Sequence, residues 1–119
     1  MKALGDKYED SAVKLLQECG LVLLERNFKG RSGEIDIIAQ DGDQLVFVEV
    51  RARSNPSFGS AASSVNKQKQ RRIVKTAQLF LQRWPNRASM PCRFDVIAFE
   101  PPQSDAGPQI SWIRDAFTG

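Results

Sequence analysis

The chain contains no histidine. That removes Ser-His and Cys-His nucleophilic catalysis, histidine-ligated zinc centres and every nuclease built on a histidine base. Hydrolytic chemistry must then rest on carboxylates, lysine, arginine or a bound metal. Cysteine is scarce as well. Cys19 and Cys92 lie far apart without C-x-x-C spacing, so neither a zinc site nor a redox pair is indicated. Both are expected to be buried small apolar residues of a reduced, cytoplasmic protein. Apolar runs are a few residues long, far below the roughly 20 that a membrane span needs. No basic-then-apolar leader opens the chain.

Acidic residues are absent from one long stretch. Between Val50 and Phe94 there is no Asp or Glu, while ten Lys or Arg occur there. The rest of the chain holds seven bases and all fourteen acids. A solvated helix face would account for such a run. A surface that faces a polyanion, most economically nucleic acid, accounts for it equally. With 119 residues, 41% hydrophobic and 26% charged, the expectation is one globular domain over 1–119 with its own core.

Periodicity supplies the elements. Tyr8, Ala12, Leu15, Leu16 and Cys19 fall on one stripe of a helix from Lys7 to Cys19, closed by Gly20. Glu9 borders that stripe beside Leu16. A short strand from Leu21 to Glu25 and a polar connection from Asn27 to Gly33 follow. Two β-branched segments, Glu34–Ala39 and Leu45–Val50, flank Asp41-Gly42 and predict a hairpin. Residues 53–64 read as a loop rich in breakers. Ile73, Val74, Ala77, Phe80, Leu81 and Trp84 predict an amphipathic helix from about Val65 to Trp84, ended by Pro85. Strands are expected over Arg93–Phe99 and Ile110–Ile113. The order α-β-β-β-α-β-β favours an α/β fold with a mixed sheet flanked by helices.

The hairpin carries the chemistry. If Asp41 and Gly42 form its turn, Asp36 opposes Phe47 and Glu34 opposes Glu49. Glu34, Asp36, Glu49 and Arg51 then share one face, with Ile35, Ile37, Val46, Val48 and Val50 on the other. Acids crowded on one face repel unless solvent screens them or a cation sits among them. Oxygen ligands without nearby His or Cys suit Mg²⁺, Mn²⁺ or Ca²⁺. A base beside such an ion and a basic flank describe metal-assisted phosphodiester cleavage. Elsewhere, Asp95 is expected to cap or to pair with a neighbouring arginine, and Trp84 and Trp112 to pack rather than stack on bases.

The segments G-E-I-D-I-I-A at Gly33–Ala39 and F-V-E-V-R-A-R at Phe47–Arg53 resemble the YraN family of small bacterial proteins. So do F-G at Phe58-Gly59, V-N-K-Q-K-Q-R-R at Val65–Arg72, R-F-D-V-I-A-F at Arg93–Phe99 and W-I-R-D-A-F at Trp112–Phe117. That family is grouped with the PD-(D/E)XK nucleases of restriction-endonuclease-like fold, archaeal Holliday junction resolvases among them. The resemblance implies a metal-dependent endonuclease that hydrolyses DNA, with branched or single-stranded DNA as the substrates it suggests. Asp36, Glu49 and Glu9 would hold Mg²⁺ or Mn²⁺. Arg51 stands where the superfamily usually has lysine. Arginine, with a pKa above about 12, cannot serve as a base, so Arg51 would steady water or phosphate charge, and Lys69 could reach into the site instead. Arg53, Lys67, Lys69, Arg71, Arg72 and Lys75 would bind the nucleic-acid backbone. A homodimer would let a single small site act on both strands. Two other readings stand beside the nuclease: a catalytically inactive nucleic-acid-binding module on the same fold, and an interaction domain whose basic helix meets an acidic partner.

Overall fold

A computed structural model of the chain describes residues 4–52, 64–100 and 109–119. The elements are α1 (Leu4–Glu18), β1 (Val22–Gly30), β2 (Gly33–Asp41), β3 (Gln44–Ala52), α2 (Lys67–Arg83), a single 3₁₀ turn (Pro85–Arg87), β4 (Cys92–Glu100) and β5 (Gln109–Phe117). The strands form one sheet in the order β1-β2-β3-β4-β5. Neighbours are antiparallel except β3 and β4, which run parallel. A parallel pair needs a crossover, and α2 supplies it. This is the mixed α/β sheet with the element order expected from the sequence, consistent with a restriction-endonuclease-like core.

The strands alternate, and each helix covers one face. On one face Ile73, Ala77 and Phe80 of α2 pack on Phe28, Ile38, Phe47 and Phe94. On the other, Ala12, Val13 and Leu16 of α1 pack on Ile37, Val46, Val48 and Ile97. The central strands β3 and β4 are buried on both faces, which is why they read as near-continuous apolar runs. Asn66 caps α2, its side chain accepting from Lys69 N at 2.9 Å, and Gly20 takes φ +90° just beyond α1.

Four local expectations are corrected. The segment from Asn27 onward is not a connection: β1 runs on to Gly30, with Asn27 in a left-handed conformation at φ +55°. The hairpin turns on Gly42 and Asp43, because Asp41 pairs with Gln44. Gly42 takes the first turn position at φ +61°, which glycine adopts without a Cβ penalty. Partners therefore shift by two residues, Ile38 opposing Phe47, and two residues preserve the face. Ile35 leaves the face assigned to it and joins Phe28 and Phe47 beneath α2, since the β2–β3 ladder ends at Ile37 and Val48. Finally, Cys19 and Cys92 are exposed free thiols. Cys19 lies just past the end of α1 and Cys92 opens β4, and neither reaches the core.

Candidate metal centre and basic wall

Where the β2–β3 ladder stops, the two strands part. The backbone N–H of Val50 donates instead to Asp36 Oδ2 at 2.8 Å, so the aspartate stands in the gap. The opening is a cleft of about 410 Å³ between the two helices, lined by Glu9, Glu34, Asp36, Glu49, Arg51, Lys69 and Arg72, among others. Three carboxylates meet there: oxygens of Glu9, Glu34 and Asp36 all lie within 4.8 Å of one another. Glu9 comes from α1, and the other two from β2.

Cationic and amide groups hold this cluster from behind. Arg26 Nη2 lies 2.9 Å from Asp10 and 3.6 Å from Glu9. The Asn27 amide, oriented to donate, reaches Glu9 Oε1 at 3.1 Å and Glu34 Oε1 at 2.8 Å. The left-handed turn of Asn27 thus ties a helix acid to a strand acid. Partial burial and the charges of Asp36 and Glu34 push the Glu9 carboxyl up, against the pull of Arg26 and Asn27.

Glu49 is the most buried acid of the cleft, 5% exposed. Burial first, then the Asp36 charge and a hydrogen bond with Asp36, push its pKa up to about 8. Lys69 and Arg51 oppose this, with Lys69 Nζ 3.7 Å from Glu49 Oε1. Arg51 is half-buried, and its Nε donates to Ser64 Oγ at 2.8 Å. Glu49 thus holds its proton beside the charge of half-buried Asp36, with a lysine at hand.

Hard oxygen donors converging from two elements fit Mg²⁺ or Mn²⁺. Glu9 and Asp36, named from the sequence, belong to the three-acid cluster. Glu49 joins it through Asp36. Glu34 was read on the acidic face but given no role, and the structure places it beside Glu9. Sequence reasoning missed Asn27 and Arg26 altogether, because nothing local shows that β1 passes behind α1.

The other wall is α2. Its 17 residues carry six bases and no acid. Lys67, Arg71, Arg72 and Lys75 are exposed, and Lys69 is half-buried toward Glu49. Lys67 and Lys69 occupy the first turn, where the helix dipole disfavours cations. Such placement does not serve the helix. Arg53 lies outside the described residues.

The model of the uncharacterised protein family UPF0102 matches residues 8–99. The chain belongs to this family. It is the YraN family whose segments were recognised above. A UPF0102 protein of Janthinobacterium sp. (strain Marseille) is 48% identical over 112 residues, covering 94% of this chain and 85% of the relative. That of Methylobacillus flagellatus is 45% identical over 118 residues, 99% of each chain. That of Stutzerimonas stutzeri is 47% identical over 113 residues, 95% of this chain and 92% of the relative. Among the described residues no helix is long and apolar enough to cross a membrane.

Proposed function

We propose that this UPF0102 member is a metal-dependent endonuclease that hydrolyses phosphodiester bonds of DNA. The observation that carries the reading is the convergence of Glu9, Glu34 and Asp36 in a cleft whose opposite wall is the acid-free helix α2. Acids alone would repel nucleic acid and bases alone would only bind it. Together they select an anion and supply the means to cut it.

Glu9, Glu34 and Asp36, with Glu49 behind Asp36, would hold Mg²⁺ or Mn²⁺. Bound there, the ion supplies Lewis-acid charge and an acidified water. Lys69, kept near the cleft by Glu49, sets a positive charge against the phosphate. Arg51 adds another, steadied by Ser64. Lys67, Arg71, Arg72 and Lys75 hold the backbone without reading bases. The exposed thiols of Cys19 and Cys92 suit a reducing cytoplasm.

The inactive binding module keeps one observation in its favour. Arg51 occupies the usual lysine position and its Nε is engaged by Ser64. Labelled single-stranded, duplex and branched DNA incubated with Mg²⁺, Mn²⁺ or EDTA separates the two. The nuclease requires cleavage that needs metal and falls at least about 100-fold in Asp36→Asn. Binding of DNA without any cutting would select the inactive module, and failure to bind any DNA would sink both.

A further inference from the structure

The bases expected from the sequence all lie on α2 or in the segment before it. The fold adds Arg31 from elsewhere and Arg83 from the last turn of α2. Arg31 sits on the turn between β1 and β2, and that turn lies against α2. Gly30 eases the approach, since a Cβ there would come 2.7 Å from Leu79 Cδ2, and Gly33 faces Arg72 and Thr76 of α2. Arg31 and Ser32 thereby form one groove of about 420 Å³ with Arg71, Arg72 and Lys75. A second groove of about 290 Å³ continues from Arg31 and Lys75 to Arg83. The first is continuous with the carboxylate cleft, since Ser32 and Arg72 line both. Arg83 is exposed and held with its guanidinium 5.4 Å from the centre of the Phe28 ring.

We propose that these grooves form a track for one strand of nucleic acid, leading from the carboxylate cleft over the β1–β2 turn to Arg83. Arg31 and Arg83 are its distal phosphate contacts. The inference rests on the nuclease reading for what happens in the cleft, but the track itself needs only a polyanion. Among the described residues no carboxylate is paired with Arg31, Arg71, Arg72, Lys75 or Arg83. A solvated surface of ordinary kind mixes signs, as α1 does with Glu9, Asp10, Lys7 and Lys14. Like charges that share a concave groove raise the local potential and gather anions. From Arg72 to Arg83 the helix rises about 16 Å. At about 3.4 Å per nucleotide of a stacked strand, that is room for four or five nucleotides.

The test is anisotropy of a fluorescein-labelled single strand with the full chain in EDTA, from about 50 to 200 mM salt. Arg31→Ala and Arg83→Gln are each expected to weaken binding severalfold. Each should also flatten the slope of log affinity against log salt by about 0.7, the loss of one single-strand phosphate contact. Arg114→Ala, the same charge change on exposed β5, should alter neither. Melting curves confirm folding, and Arg31→Ala, on an exposed turn, guards against a fold defect in Arg83→Gln. Wild-type affinity in both groove variants, equal weakening in Arg114→Ala, or no binding by the wild type overturns the track. Cleavage in Mg²⁺ keeps the two readings apart. Cutting with full affinity in both variants rejects the track and retains the nuclease. Arg31-dependent binding without cutting rejects the nuclease and retains the track.

Discussion

Glu49 and Asp95 are buried acids on adjoining parallel strands, one register step apart, facing opposite sides of the sheet. Asp95 is fully buried and fully partnered. Arg93 Nε donates to both its oxygens at 3.1 and 3.2 Å, Trp112 Nε1 donates at 2.9 Å and the Asp115 backbone N–H at 2.9 Å. Arg93 in turn reaches Asp41 and Gln44. Glu49 at similar depth meets another carboxylate and a lysine 3.7 Å away. A buried charge that serves the fold is neutralised and hydrogen-bonded, as Asp95 is. Glu49 faces a second acid instead, an arrangement that the proposed cation would neutralise.

That contrast breaks first at Asp95. Asp95→Ala would leave Arg93 only Asp41 and Gln44 and would take from the Trp112 and Asp115 N–H groups their acceptor. The expected loss is about 3–5 kcal/mol by urea unfolding, enough to threaten a domain of this size. Glu49→Gln should do the reverse in metal-free buffer. A carboxyl raised from 4.5 to about 8 binds a proton in the native state that the unfolded chain has released, so stability is full below about pH 4.5 and falls as pH rises toward 8. The wild type in EDTA should therefore weaken by roughly 1 kcal/mol per unit across that window. Glu49→Gln should flatten that slope and gain about 2–4 kcal/mol at pH 8. Urea curves at several pH values read both. The smallest effect is Trp112→Phe. It keeps the packing and removes one donor to a carboxylate with others, for a loss of about 1–2 kcal/mol.

The sequence shows these two acids unequally. The Arg93–Asp95 pair was legible because its members are two residues apart. Trp112 and Asp115 were not, being brought in by the β4–β5 pairing. The paired part of the hairpin kept its faces despite a wrong turn assignment because the register moved by two, but the alternation assumed through Glu34 and Asp36 failed, since Ile35 packs beneath α2 while Ile37 packs beneath α1. Periodicity placed Glu9 at the edge of the α1 stripe, and the family resemblance joined it to the acids of the hairpin. Glu34 escaped a role because its approach to Glu9 depends on β2 leaving the ladder beyond Ile37, and no local pattern encodes that. Asn27 and Arg31 were hidden in a segment whose polar residues read as a connection, although it forms the end of β1 and its turn. The burial of the cysteines was misjudged because composition records how often a residue type is buried and not where a helix ends.

The central claim is that the acids of the cleft are crowded together to hold a divalent cation. Melting of the wild type and of Asp36→Asn at pH 8, in EDTA and then in millimolar Mg²⁺ or Mn²⁺, tests it most directly. Metal at about ten times its dissociation constant should stabilise the wild type by about 1.4 kcal/mol, a rise of roughly 5 °C, and leave Asp36→Asn where it was. Equal midpoints with and without metal in the wild type, or an equal rise in Asp36→Asn, would contradict it.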